Sequence, residues 1–256
     1  MEWYQAVVLG IVEGVTEFLP ISSTGHMILV SKLMGISENE FVKSFEIVVQ
    51  LGAIAAVGMM YIQKVIQNRD WWGKIVASFV VTGVVGTLLY EFVREYLLGN
   101  ATLVAVSLLV GGILLILLEK WLVKKGNNIK MIGEISYKQA ATIGLVQTFS
   151  IVPGVSRSMA TIFGGIGVGL SRKEAVEYSF LLAVPTMVAA SALDLSQTGF
   201  NYSQEEYRML GIGLLCAFVS AWMVVKVFVA YVQKHDMSLF GWYRILVGLL
   251  YLTLMK

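Results

Sequence analysis

Long apolar runs separated by short polar breaks organise this chain, and their lengths set the elements to expect. Phe45 to Ile62, Ile75 to Tyr96 and Thr102 to Val123 each approach the ~20 residues that carry a helix across a bilayer, with charged or Asn/Gly-containing breaks between them. The polar connector KKGNNIKMIGEISYK follows, and then three more runs, roughly Ala175 to Leu195, Leu210 to Tyr231 and Phe240 to Met255. The N-terminal segment breaks this pattern. A first helix, about Trp3 to Leu19, meets Pro20, whose ring forbids smooth continuation. A second short helix, about Ser23 to Met34, has Ser22, Ser23 and Thr24 as N-cap candidates and Gly35 as its stop. At 1.5 Å per residue neither reaches across ~30 Å of hydrocarbon, so the pair predicts a re-entrant helical hairpin. Irregular backbone at that depth is tolerated only where it is buried in protein or lines a wet cavity, which marks the hairpin as a site.

The pattern restarts after the connector. In GLVQTFSIVPGVSRSMAT, Gly144 to Thr161, Gln147 falls where Glu13 stood, Pro153 where Pro20 stood, and Ser156 where Ser23 stood once one residue is skipped before the proline. Weak internal similarity of this kind is the mark of a duplicated membrane fold. Each half is then one hairpin plus three spans, an odd number that inserts the second half upside down, so the two broken tips enter from opposite faces and meet near the midplane. The expected fold is all-α: one polytopic membrane domain over residues 1–256, with six transmembrane helices and two re-entrant hairpins in an inverted-topology repeat. Repeat one covers about 1–125 and repeat two about 134–256.

Composition agrees, with 57% hydrophobic residues, only 14% charged ones and a mean hydropathy of +0.75. The single Cys216 excludes an intrachain disulfide framework, and a formal charge of +2 gives no reason to expect nucleic acid. MEWYQ at the start lacks the positive region of a cleavable leader. Loop charges set the orientation. Lys64, Arg69, Lys74, Lys120, Lys124, Lys125, Lys130, Lys138, Arg172, Lys173 and Lys234 fall on one side, against Lys32, Lys43, Arg94, Arg208 and Lys256 on the other. The lysine-rich side is cytoplasmic by the positive-inside rule; both termini and the mouth of the first hairpin then face outward. Glu38, Glu40, Glu91, Glu95, Asp194, Glu205 and Glu206 gather on that outer side. Small-residue helix faces permit a homodimer without demanding one.

The chemistry concentrates in EGVTEFLPISSTGH. Glu13 and Glu17 are four apart and stack on one helix face. Helices starting at Ser23 and near Ser156 would aim unpaired NH groups and positive dipole ends at a shared centre, which suits an oxyanion such as phosphate. Arg157 adds a permanent charge and a planar donor fork. Two carboxylates beside a phosphate would repel it, and a divalent cation, Mg²⁺ or Ca²⁺, held by Glu13 and Glu17 resolves that conflict. Ser23 and His26, three apart on one turn, serve either as nucleophile and base or as phosphate ligand and acid.

The pairing of EGVTEFLPISSTGH with PGVSRSMAT resembles the undecaprenyl-pyrophosphate phosphatase family of the bacitracin-resistance type, bacterial membrane enzymes that recycle the lipid carrier of cell-wall synthesis. The resemblance covers essentially the whole chain. Position by position it places the family's glutamate pair on Glu13 and Glu17, its serine and histidine on Ser23 and His26, and its arginine on Arg157. It implies cation-dependent hydrolysis of undecaprenyl pyrophosphate to undecaprenyl phosphate and phosphate, in the plasma membrane, with the site open to the outer or periplasmic side. Ser23, assisted by His26, attacks in this reading. Ser22, Thr24, Ser156, Ser158 and Thr161 are expected around the substrate.

Plainer roles stand beside these. N-capping alone accounts for serines at a helix break, and a histidine in a first turn is a weak signal. Thr24 and Thr161 also suit as hairpin braces. Glu46 and Gln50 share a face of the first span and either support the glutamate pair or sit at the interface. GGIGVG, Gly164 to Gly169, follows no strand and reads as helix packing. Arg244 and Glu177 are placed just inside the cytoplasmic span ends, snorkelling or paired. A carrier or flippase for a lipid phosphate is the competing function, since inverted repeats with midplane binding also describe transporters. A structural scaffold leaves the buried charges unexplained.

Overall fold

The computed structural model describes residues 1–37, 39–96, 101–125, 130–198 and 202–254. Glu38, part of the connector, Met255 and Lys256 lie outside them. The described chain is helical apart from turns, two short 3-10 segments and one isolated bridge between Lys130 and Leu170. The helices are α1 Trp3–Thr16, α2 Ser23–Leu33, α3 Glu40–Val48, α4 Gln50–Gln67, α5 Arg69–Tyr96, α6 Ala101–Lys125, α7 Tyr137–Gln147, α8 Arg157–Gly167, α9 Arg172–Thr198, α10 Gln204–Val232 and α11 Ser238–Leu254.

Among the described residues five apolar stretches are long enough to cross a membrane: Glu40–Gln67, Arg69–Leu89, Thr102–Leu122, Arg172–Leu193 and Gln204–Val232. The sixth expected run forms α11, a helix of 17 residues. The first span is interrupted at Val49, where α3 hands over to α4. Large apolar side chains on the outer faces, such as Leu88, Leu215 and Val227, are exposed, as befits a multi-pass protein whose solvent is lipid.

The short helices pack across the two halves of the chain. α1 lies against α10 and α7 against α5, while α6 pairs with α11 and α4 joins α9 and α10. Close approach explains two glycines. A Cβ on Gly10 would meet the Gly213 carbonyl of α10 at 2.5 Å, and one on Gly144 the Ser78 carbonyl of α5 at 2.2 Å. In lipid, where apolar burial drives helix association little, such backbone proximity and interhelical hydrogen bonds hold the bundle. Two glycines of GGIGVG serve packing, Gly164 backing onto Ile143 and Gly165 onto Ala175, whereas a Cβ on Gly167 would meet nothing within 4 Å and Gly169 has positive φ.

Ion pairs bind one end of the bundle. Lys64 pairs with Glu177 at 3.0 Å, and Arg172 with Glu119, which also accepts from the Met237 amide at 3.1 Å. Lys74 reaches the Ile132 carbonyl at 3.1 Å. Glu177 is therefore paired, as the sequence suggests. Arg244 is not at a span end: it is fully buried in the middle of the bundle.

Candidate active site

The two short-helix pairs break in the same way. α1 ends at Thr16, and Glu17 to Ile21 turn around Pro20 before α2 begins. Ser22 caps α2 from φ 71°, its Oγ accepting from the Gly25 amide. Ser156 caps α8 from φ 77°, its Oγ accepting from the Met159 amide at 3.2 Å. Among the described residues these are the two non-glycine positions of positive φ. Left-handed backbone at such residues costs of order 1–3 kcal/mol and persists only where the surroundings enforce it, commonly at functional sites.

The matched caps correct the register of the two motifs. Ser156 corresponds to Ser22 rather than Ser23, and no residue needs skipping, because Ser22 and Ser156 stand at the same separation as Glu13 and Gln147. Ser23 then corresponds to Arg157, Pro20 to Gly154, and Gly35 to Gly169, the two glycines both having positive φ. The tip of one pair carries a hydroxyl where the other carries a guanidinium.

These groups meet. Ser23 Oγ donates to Glu17 Oε2 at 2.5 Å, and Arg157 Nη2 donates to Glu17 Oε1 at 2.9 Å. Arg157 Nη1 donates to the Ser179 carbonyl at 2.8 Å and to Ser179 Oγ at 3.3 Å, while its Nε is buried without a partner. The guanidinium also sits 5.7 Å from the centre of the Phe18 ring. Ser158 Oγ donates to the Phe18 carbonyl at 2.8 Å, a second bridge between the tips. Thr161 Oγ1 donates to Ser179 Oγ at 2.6 Å and so braces the arginine's acceptor. Thr24 is exposed, outside this buried cluster.

Glu13 is buried, and neither carboxylate oxygen has a hydrogen-bond partner. Its acidic neighbours are Glu17 and Glu46, the latter accepting from Ser31 Oγ at 3.0 Å. Burying such a group without a partner costs several kcal/mol, so it requires a proton or a cation from outside the chain. At the matching position Gln147 donates to Thr82 Oγ1 at 3.0 Å, a neutral amide in the same setting.

His26 does not touch Ser23 Oγ through a hydrogen bond. Its Nδ1 lies 2.8 Å from the Ser22 carbonyl and its Nε2 2.8 Å from the Tyr243 hydroxyl, with the two rings stacked. A carbonyl only accepts, so Nδ1 carries a proton, and in the neutral ring Nε2 accepts from the Tyr243 hydroxyl. The group hydrogen-bonded to Ser23 Oγ is Glu17, while the imidazole of His26 is turned toward α11. The sequence singles out neither Ser179, a small hydroxyl within an apolar helix, nor Tyr243, and it places Arg244 just inside a cytoplasmic span end.

A family model described as "Bacitracin resistance protein BacA" matches residues 6–250. The chain is 47% identical over 250 residues to an undecaprenyl-diphosphatase of Aquifex aeolicus, covering 98% of this chain and 97% of that protein. It is 44% identical to an undecaprenyl-diphosphatase of Wolinella succinogenes, covering 98% of each. A third relative of that name, from Campylobacter jejuni, is 45% identical, with 99% of this chain and 95% of the relative covered.

Proposed function

Because the chain belongs to the bacitracin resistance protein BacA family, we propose that it hydrolyses undecaprenyl pyrophosphate to undecaprenyl phosphate and phosphate. The observation that carries this reading is the Ser23–Glu17–Arg157 chain of hydrogen bonds, which joins a nucleophile, a base and an anion-binding fork at two helix starts. Arg157 and the leading amides of α2 and α8 receive the terminal phosphate, where aligned dipoles favour negative charge. Phosphate oxygens draw the guanidinium away from Glu17 and leave that carboxylate free to act as base. Ser23 Oγ attacks phosphorus as its proton passes to Glu17, and the bond to the bridging oxygen breaks to release undecaprenyl phosphate. Water then attacks the phosphoserine, the bond between phosphorus and the Ser23 oxygen breaks, the proton on Glu17 returns to the serine oxygen, and the water's protons leave with the released phosphate. Charge spread over the equatorial oxygens makes these preorganised donors worth more than any single proton transfer.

Glu13 and Glu17 are the residues that would hold a divalent cation, Mg²⁺ or Ca²⁺. Glu13 fits well, with both oxygens buried and unpartnered, whereas each oxygen of Glu17 already accepts one hydrogen bond. Among the described residues no three acidic, His or Cys side chains form a metal cage. Such an ion would complete its shell from water and phosphate, as Mg²⁺ commonly does. When bound it supplies neutralisation of the pyrophosphate charge.

An apolar groove of about 350 Å³ runs between α6 and α8, lined by residues including Val106, Val110, Met159 and Phe163. It suits an isoprenoid chain lying beside the helix that Arg157 starts. In this reading α1–α2 and α7–α8 are re-entrant hairpins of an inverted repeat, and α11 is a short sixth span. The matched positive-φ caps and the cross-half packing of α1 and α7 support that arrangement. The paired end of the bundle carries Lys64, Lys74 and Arg172 and is cytoplasmic by the positive-inside rule; the first hairpin then opens to the outer face of the plasma membrane. A lipid-phosphate carrier needs no serine hydrogen-bonded to a carboxylate. The deciding test is phosphate release from a polyprenyl pyrophosphate by purified protein in detergent, where no gradient or sidedness exists. Release at enzymatic rates is expected, and binding without release would refute hydrolysis.

A further inference from the structure

We propose that Arg244 is a positioning residue that clamps the two tips, so that Glu17 and Ser23 on one face Arg157 on the other. Its side chain is fully buried. Nη1 donates to the Pro20 carbonyl at 3.1 Å, and Nη2 to the Gly154 carbonyl at 2.9 Å and the Ser107 carbonyl at 3.0 Å. Pro20 and Gly154 are corresponding positions, each two residues before its serine cap. One rigid planar group therefore holds the same carbonyl of both tips.

The bundle makes room for it. A Cβ on Gly111 of α6 would lie 2.2 Å from Arg244 Nη2 and 2.8 Å from Cζ. Among the described residues its hydrogen bonds all go to backbone carbonyls and none to a carboxylate, an expensive placement for a cation. An ion pair for stability would have placed an acid here. Carbonyls oriented by two broken helices, and captured by one fork, instead fix a distance and an angle, which is what guanidinium geometry provides and an ammonium does not. The preceding residue, Tyr243, holds His26, so one turn of α11 presents both contacts to the tips.

The inference rests on the phosphatase reading for its catalytic consequence but not for its structural one. Arg244→Lys keeps the charge and loses the fork. Gly111→Ala keeps the arginine and pushes it off its acceptors. Both are expected to lower kcat at least ~10-fold with KM for the lipid nearly unchanged, since misplacement by about 1 Å can cost 10²-fold. In an Arg157→Lys background, Arg244→Lys should add little further loss, because the geometry it protects is already gone; multiplicative losses would assign it a merely structural role. Hydrogen exchange reads the clamp without turnover. Exchange should rise together at the tip amides of Ile21 and Val155, which bond the Leu19 and Val152 carbonyls, and stay unchanged in α4 and α9. A rise at one tip only, or at neither, would overturn the proposal. Wild-type protein without phosphatase activity would refute the reaction instead, leaving the exchange result to decide on Arg244.

Discussion

Replacing Glu17 by glutamine isolates the role of its charge, because the amide has nearly the same shape. Glu17 is 5% exposed and its partner Arg157 12% exposed in their side chains, so water shields the pair little. The substitution leaves a buried guanidinium without its counter-charge. Breaking such a pair costs 3–5 kcal/mol, and the low end, about 3 kcal/mol, is expected here because Arg157 keeps both Ser179 contacts. The chemical effect is separate. The 2.5 Å hydrogen bond from Ser23 loses its carboxylate acceptor, and losing general base catalysis costs about 10²–10⁴-fold in rate, a range of ~3–5 kcal/mol in barrier. Phosphate release from a polyprenyl pyrophosphate in detergent, with thermal unfolding followed on the same preparation, separates the two effects. Glu17→Gln should be less stable yet folded at assay temperature, with kcat down at least ~100-fold. Glu17→Asp keeps the charge, withdraws it by one methylene, and should fall between. A glutamine variant within ~10-fold of wild-type kcat, below the range for a lost base, would refute the assignment of Glu17 as the residue that deprotonates Ser23.

Glu13→Gln replaces an unpartnered buried carboxyl by an amide that cannot ionise, so it should leave the cation-free Tm no lower while abolishing both the Tm increase on adding Mg²⁺ or Ca²⁺ and most turnover; a cation-induced shift that persists would move the ion away from Glu13. Ser23→Ala should cost at least ~100-fold as the loss of an activated nucleophile, and a quench in denaturing detergent at neutral pH, with substrate labelled in its terminal phosphate, should trap acid-stable label on Ser23; acid-labile label on His26 would reverse the roles. Ser22→Ala, which removes only a cap, should lower Tm by the equivalent of ~1 kcal/mol and cost far less rate than Ser23→Ala. Single cysteines at Lys138 and Glu205, after Cys216 is removed, should react oppositely with an impermeant thiol reagent on intact cells: strong labelling at 205 and none at 138. Labelling at 138 would invert the topology.

The sequence by itself determined the apolar runs that become the long helices, the broken segment around Pro20, the duplication of that segment, and the candidate set Glu13, Glu17, Ser23 and Arg157. These features are local: helix length, proline chemistry and capping depend on neighbours within a few turns, and a charge inside an apolar run stands out wherever the chain folds. The tertiary structure decided the partners. Glu17 could meet Ser23 or a cation, and His26 could serve the serine or α11, with no change in local pattern. The choice came from how α2 is rotated against α11, which contributes Tyr243 from 217 residues away. The register of the second motif belongs to the tertiary structure for a related reason. Matching proline to proline is a chemical comparison, whereas the equivalent positions are defined by backbone strain at Ser22 and Ser156, which residue type does not reveal. Arg244 shows the limit most plainly. An arginine that snorkels and one that clamps two broken helices have the same apolar flanks, and they differ only in whether distant carbonyls converge on the guanidinium, a property that belongs to the packed bundle and to no stretch of the chain.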